Sequence, residues 1–501
     1  MDHRYLDEKM FKAALKETVA KLSEKRELLN QINIFPVPDG DTGNNMLATL
    51  ESALQEVERN HFVSLDEMVE AAYQGAREGS TGNSGAIIAQ YLKGWAKALK
   101  GLERANAGEL AEAQARGAEY AYSAVLRPVE GTILTVAREA AEAAAETSAD
   151  GNLADTLLAS YHRARRSLVE TARILSPLRK NKMVDAGGWG MLIFFASLLK
   201  VFNIPTGKAE FNLKPKTNYF LGRNDFAFDE PYDMEFVITG TGDLESAIRE
   251  TLESSGTELI TQISGDNCRV HIHTNNPLII VEKVASLASF LDLIIKDMRS
   301  QYESKLDPEE SNLKYRALSF GKSPGFLAMY AMAGASVALS INQLEKKKRI
   351  LEEYSSGNIL LISSEEITLP EARDSVVIVE GEARILASLV SLYSFEKPSP
   401  EDIRVAAGYP RIARLVEEDG FYKIMSINTS ERIGSFSDGL SRAVETLEPQ
   451  LGEVLTIYYD RPERRRELEI LQTSLQKNFP MLEAVDLYFG GQEIPLILSV
   501  E

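Results

Sequence analysis

Asn33-Ile34-Phe35-Pro36-Val37-Pro38-Asp39-Gly40-Asp41-Thr42-Gly43-Asn44-Asn45-Met46 decides how the first part of this chain is read. Two carboxylates, Asp39 and Asp41, stand one glycine apart on a loop stiffened by Pro36 and Pro38. They can point hard oxygen ligands at a common cation. Gly40 and Gly43 let backbone N–H groups come close to an anion. Magnesium takes such a set, one or two carboxylates completed by phosphate oxygens. A helix starting near Asn44 or Asn45 would add an N-terminal dipole suited to phosphate. Asp-Gly-Asp alone is often only a turn with an Asx cap, but the local chemistry is that of a magnesium–nucleotide loop.

Working outward, residues 1 to about 200 read as almost all helix. Leu6, Met10, Phe11, Ala14, Leu15, Val19 and Leu22 recur at helical spacing. Similar patterns continue to Met191–Phe202, giving roughly eight helices with the glycines in the loops between them. Three of those loops share features with the first. Gly79-Ser80-Thr81-Gly82-Asn83-Ser84-Gly85 runs straight into Ala86-Ile87-Ile88, and offers backbone N–H groups with the Ser84 and Thr81 hydroxyls as donors. Pro128-Val129-Glu130-Gly131-Thr132 and Asp185-Ala186-Gly187-Gly188-Trp189-Gly190 also precede helices. Glycine before a helix is often a simple connection. Four such loops on one helical region, one with paired carboxylates, point to phosphate. No Walker A pattern is present, and Gly240-Thr241-Gly242 lacks the third glycine of a dinucleotide fingerprint.

The 501 residues are too many for one core and suggest two to four domains. The 55 basic and 74 acidic side chains leave a net charge of −19. That disfavours a nucleic-acid surface, which wants a basic face, but not ATP held by magnesium and backbone N–H groups. The single cysteine, Cys268, fits a reducing compartment. The N-terminus lacks a signal-peptide core, and the longest apolar run, Gly190 to Leu199, is about half a membrane span and reads as a buried helix. A cytoplasmic protein, not an integral membrane one, is expected.

After the helices, 203–230 lose all periodicity and read as a linker. Met234–Thr239, Leu244–Glu253, Glu258–Ile263, Cys268–Thr274, Leu278–Ala288 and Leu291–Ile295 then follow the order β-α-β-β-α-β, the split-βαβ motif. Its third strand carries His271 and His273, which face one side and can chelate zinc if another ligand or two joins them. Cys268, three residues before His271, points to the opposite face. From about Tyr315 strands and helices alternate, which suggests an α/β domain.

Asn30 through Met46 resembles, almost letter for letter, the nucleotide loop of the DhaL-like (DAK2) kinase domain. Gly79–Gly85, Pro128–Glu139 and Val184–Gly188 resemble three further blocks of that family, with Ser80 and Thr81 replacing its Ala and Arg. More narrowly, the chain resembles the ATP-binding subunit of bacterial fatty acid kinase. The resemblance implies an all-α eight-helix DhaL-like barrel over 1–202, a linker over 203–230, a middle α/β domain over 231–312 and a C-terminal α/β, DegV-like domain over 313–501. It implies that Asp39 and Asp41, with Asn33, hold Mg2+ against ATP. Thr42, Gly43, Asn44, Asn45, Ser80, Thr81, Gly82, Asn83, Ser84, Gly85, Thr132, Asp185 and Gly187 would line the nucleotide. In that family the His-x-His pair accompanies a cysteine on the domain's first strand. Asp233 stands there in this chain, so Asp233, His271 and His273 become the expected set for a second metal such as Zn2+.

The family also implies the reaction: transfer of the γ-phosphate of ATP to the carboxylate of a fatty acid presented by a separate DegV-type binding protein, giving acyl phosphate. It implies a homodimer as well, for which the sequence has no signature. The C-terminal run Tyr488 to Glu501 resembles the family's ending, whereas its glycine-rich and Asn-Asn-Lys-Asn segments are not recognisable between Lys314 and Glu396. Two other readings stay open: phosphorylation of a small hydroxyketone, as in dihydroxyacetone kinases, and a nucleotide-binding regulator or scaffold without catalysis.

Overall fold

The structure is a computed structural model that describes residues 4–149, 152–205, 228–303, 316–342, 359–363, 376–379, 381–394, 400–408, 410–426 and 430–501. They form two compact units, residues 1–228 with 257–262, and residues 229–256 with 263–501. Most of the expected linker lies outside the described residues.

The first unit is helical, as expected. Its helices are α1 (Glu8–Ile32), α2 (Thr42–Arg59), α3 (Leu65–Glu78), α4 (Gly82–Ala98), α5 (Ala107–Ala124), α6 (Ile133–Ser148), α7 (Leu153–Ile174), α8 (Ser176–Asn181) and α9 (Ala186–Val201). α8 is a short addition to the eight expected, closed by Lys182 in the left-handed conformation. Each helix from α1 to α6 packs on its successor, and α9 packs on both α7 and α1. The neighbours therefore form a closed cycle. α9 is apolar around its circumference and is buried along nearly its whole length, as such a helix must be. Phe194 on α9 meets Tyr91 and Trp95 of α4 edge-on, at 6.2 and 5.5 Å between ring centroids. Short connections between successive helices reverse the chain. The α1–α2, α3–α4, α5–α6 and α8–α9 loops thus share one end. A Cβ on Gly190, in the first turn of α9, would lie 2.3 Å from Met46 Sδ in the first turns of α2, which brings the first and last of these loops together.

From Tyr232 the chain follows the expected β-α-β-β-α-β order: β1 (Tyr232–Thr239), α10 (Leu244–Leu252), β2 (Thr257–Ser264), β3 (Asn267–Thr274), α11 (Pro277–Ala285) and β4 (Ser289–Asp297), all in the second unit except 257–262 of β2. After α12 (Met298–Glu303) come β5 (Arg316–Gly321), α13 (Pro324–Met332), β6 (Val337–Ser340), β7 (Ile359–Ser363) and β8 (Val376–Ile378). Seven strands of the larger sheet run in the order β3-β1-β4-β6-β5-β7-β8. β4 pairs antiparallel with β6, so one sheet continues across the boundary expected near residue 313. β5 is parallel to β6 and to β7, and β7 to β8.

The rest of the chain forms α14 (Glu382–Ser394), α15 (Pro400–Gly408), β9 (Arg411–Glu418), β10 (Phe421–Met425), β11 (Ser430–Ile433), α16 (Phe436–Thr446), β12 (Val454–Tyr459), α17 (Arg464–Asn478), β13 (Ala484–Phe489) and β14 (Leu496–Val500). A second sheet runs β11-β10-β9-β14-β12-β13. The last strand is inserted between β9 and β12, and all five of its residues are buried.

Candidate functional site

The Asn33–Asp41 loop is held from within. Asn33 Oδ1 accepts the backbone N–H groups of Asp41 (3.1 Å) and Thr42 (2.9 Å), and its Nδ2 donates to Val37 O at 3.3 Å. A side chain upstream thereby supplies the acceptor at the start of α2, which begins at Thr42, two residues before the expected Asn44. With both lone pairs of Oδ1 engaged, Asn33, which the resemblance implies at Mg2+, braces the loop in this structure. Gly40 turns the chain at φ +62 between Asp39 and Asp41, a conformation that favours glycine. Both carboxylates are buried. Asp41 precedes α2 yet makes no side-chain capping bond to it.

The α3–α4 loop packs against this one. Thr81 Oγ1 donates to Asn45 Oδ1 at 3.0 Å, and the Thr42 and Ser84 hydroxyls lie 3.3 Å apart. Gly82 sits at φ +56, and a Cβ there would come within 2.1 Å of Asn45 Nδ2. Thr81 makes no side-chain cap for α4. Two helix N-termini, α2 and α4, therefore meet through Thr42 and Ser84 with neither preceding residue capping its helix. Their dipoles suit an anion, although in α2 the Thr42 and Asn44 N–H groups are already taken by Asn33 and Asn30. Asn83 Oδ1 is buried there without a hydrogen-bond partner, an acceptor suited to a ligand's donor. Ser80 is buried, and Asn44 exchanges hydrogen bonds with Asn30 at 3.1 and 3.2 Å, which turns its amide toward α1.

The other two loops are organised differently. Thr132 Oγ1 donates to Val129 O at 2.8 Å and accepts from Leu134 N, capping α6. Asp185 Oδ2 accepts the Gly188 N–H at 2.7 Å, and the same carboxyl takes the Ile133 N–H. Asp185 thus ties the start of α9 to the start of α6, and Gly187 packs against Ile133. Burial, partly offset by these two N–H groups, pushes the Asp185 carboxyl up to about 7. Thr132 and Asp185, both expected at the nucleotide, are engaged as caps. Thr171, which the sequence did not single out, receives the Asp185 N–H on its hydroxyl at 3.0 Å.

In the second unit, β1 and β3 pair so that Asp233 stands opposite His273 and Glu235 opposite His271. Ligand atoms of Asp233, His271 and His273 all lie within 4.8 Å of one another. Asp233 Oδ1 and both ring nitrogens of His271 are buried without hydrogen-bond partners, although Oδ1 and Nδ1 lie 3.2 Å apart. Orphaned acceptors in that arrangement fit a first-row divalent metal. Burial lowers the His273 imidazole to about 3, which keeps it neutral, the form that ligates. Burial raises the Asp233 carboxyl, but the charge of Lys296 beside it prevails and holds it below its usual range. Lys296 and Glu235 are members of this cluster that the sequence did not reveal.

Residues 36–200 match the family model of the DAK2 domain, and residues 229–305 match that of the FakA-like fatty acid kinase middle domain. An uncharacterized protein of Staphylococcus saprophyticus is 28% identical to this chain over 473 residues, covering 88% of this chain and 80% of that protein. An uncharacterized protein of Staphylococcus aureus strain MRSA252 is 25% identical over 548 residues, covering 97% of each. Among the described residues no helix is long and apolar enough to cross a membrane.

Proposed function

We propose, for a chain that is a FakA-like fatty acid kinase protein carrying a DAK2 domain, that it transfers the γ-phosphate of ATP to the carboxylate of a fatty acid. The acid would arrive on a separate DegV-type binding protein, in the cytoplasm, and leave as acyl phosphate. The observation that carries this reading is the pair of helix N-termini, α2 and α4, that meet through Thr42 and Ser84 beside buried Asp39 and Asp41. The closed cycle of helices is read as the eight-helix barrel, with this pair at one end.

Asp39 and Asp41 would hold Mg2+, which supplies the charge neutralisation that phosphoryl transfer needs. Asn33 fixes the backbone between them and the start of α2. The Gly43 N–H of α2 and first-turn N–H groups of α4 would donate to the phosphates, with the Thr42 and Ser84 hydroxyls alongside, while the Thr42 and Asn44 N–H groups stay on Asn33 and Asn30. Asn83 Oδ1 offers an acceptor to the nucleotide. The acceptor carboxylate is already a nucleophile, so alignment and masking of like charge matter more than a general base. Asp185 has no acid–base part in this reading, since it is committed to two helix ends. In the second unit, Asp233, His271 and His273 would hold a second divalent metal such as Zn2+. The C-terminal part would dock the binding protein in a DegV-like manner.

The test is phosphoryl transfer from labelled ATP by the purified chain, with and without a fatty-acid-loaded binding protein of the same organism. Acyl phosphate that depends on the binding protein is the expected product. Mg-ATP binding without transfer to a competent acyl carrier would overturn the fatty-acid reading.

A further inference from the structure

Five ionisable side chains share one face of three adjacent strands in the second unit. Asp233 and Glu235 alternate along β1, His271 and His273 along β3, and Lys296 stands on β4 directly opposite Asp233. All five are buried. Lys296 Nζ lies 3.3 Å from Asp233 Oδ2 and 3.0 Å from Glu235 Oε1. Its ammonium therefore engages one oxygen of the Asp233 carboxylate. The other oxygen, Oδ1, faces His271 without a hydrogen-bond partner.

We infer that Lys296 competes with a divalent metal for the Asp233 carboxylate, and so makes the Asp233–His271–His273 set a loosely held, exchangeable site. A metal bound to Oδ1 would share one carboxylate with an ammonium already on Oδ2. In a buried setting the repulsion between these two cations is weakly screened. Glu235 works in the opposite direction. It shares the ammonium with Asp233, so that two carboxylates face one lysine beside the set, which favours a cation. Two imidazoles and one carboxylate oxygen accept first-row divalent metals. Three protein ligands fall short of the four of a closed structural zinc site. The charge next to the set then decides how tightly a metal stays, as neighbouring groups do at metal centres generally. This inference does not depend on the kinase reading.

The test is titration of the chelator-treated full-length chain with Co2+, whose visible absorption reports nitrogen and oxygen ligation. Excess Mg2+ is present throughout to occupy carboxylate-only sites. The chain is expected to take up Co2+ with an absorption band that His271→Ala removes. Lys296→Met is expected to bind Co2+ at least about tenfold more tightly, the lower end of the range for groups bordering a metal site. Glu235→Gln is expected to bind it more weakly. Co2+ bound no more tightly by a folded Lys296→Met chain overturns the inference, and so does a chain without a band sensitive to His271→Ala. Near-UV circular dichroism establishes folding. If Lys296→Met does not fold, Glu235→Gln carries the test, and affinity equal to or above that of the unsubstituted chain overturns the inference.

Discussion

Asp185→Asn is expected to flatten part of the pH dependence of the helical unit's stability. The Asp185 carboxyl is buried against the Gly188 and Ile133 N–H groups, and burial raises it from 3.8 to about 7. In the unfolded chain it titrates near about 3.9. Between those values the folded chain keeps a proton that the unfolded chain has lost. Stability must therefore fall as pH rises from about 4 to about 7, and this group contributes no further change above that. A shift of about three pH units corresponds to about 4 kcal/mol as an upper bound. Both tryptophans of the chain, Trp95 and Trp189, are buried in the helical unit, so their fluorescence reports that unit alone. Urea midpoints followed by this signal between about pH 5 and pH 8 give the dependence. An asparagine keeps an amide oxygen for the N–H groups but carries no titrating proton. The difference between the two curves should narrow by about 1–3 kcal/mol from pH 5 to pH 7 and then level off. A constant difference across that range would refute a carboxyl that is neutral in the fold.

Asp39→Ala and Asp41→Ala should each abolish phosphoryl transfer while leaving the tryptophan-reported urea midpoint nearly unchanged; turnover retained by both variants would remove these carboxylates from the site. Asn33→Ala strands the Asp41 and Thr42 N–H groups, a loss of about 1–3 kcal/mol for buried donors without an acceptor. It should lower both the urea midpoint and the affinity for Mg-ATP, as measured by calorimetry. Gly82→Ala places a Cβ 2.1 Å from Asn45 Nδ2 at a φ of +56, so it should weaken nucleotide binding at least as strongly as it lowers the midpoint.

The helical unit was legible because its apolar residues keep a period near 3.6 over long stretches. α2 starts earlier than expected because its first N–H, that of Thr42, is satisfied by Asn33, outside the local pattern. The strands were harder to read. β5, β6 and β14 are short and buried on both faces, so they lack the alternation that marks a half-buried strand. Lys296 was lost for a related reason. A lysine after the apolar run Leu291–Ile295 looks like the end of a strand, yet β4 continues to Asp297. Only the register of β4 on β1 shows that this lysine faces Asp233. The His pair was legible because a strand's period of two fixes the side that both rings share.

The four glycine loops show where reading by residue type stops. Each has an aspartate, threonine or serine near a helix start, and all of these are good capping types. The structure divides them. Thr132 and Asp185 cap their own helices, while Asp41 and Thr81 do not cap the helices that follow them. Forgoing such a cap costs a helix about 1 kcal/mol, and here two adjacent helices forgo it at the point where their ends meet. A sequence contains the capping residue but not the direction of its side chain, which depends on a partner far along the chain: Asn33 for α2, Asn45 for Thr81. The two loops that leave their helix ends to another acceptor are the two beside the paired carboxylates. A bound phosphate at this junction would engage both helix ends at once, which is the support for the nucleotide site that we propose there.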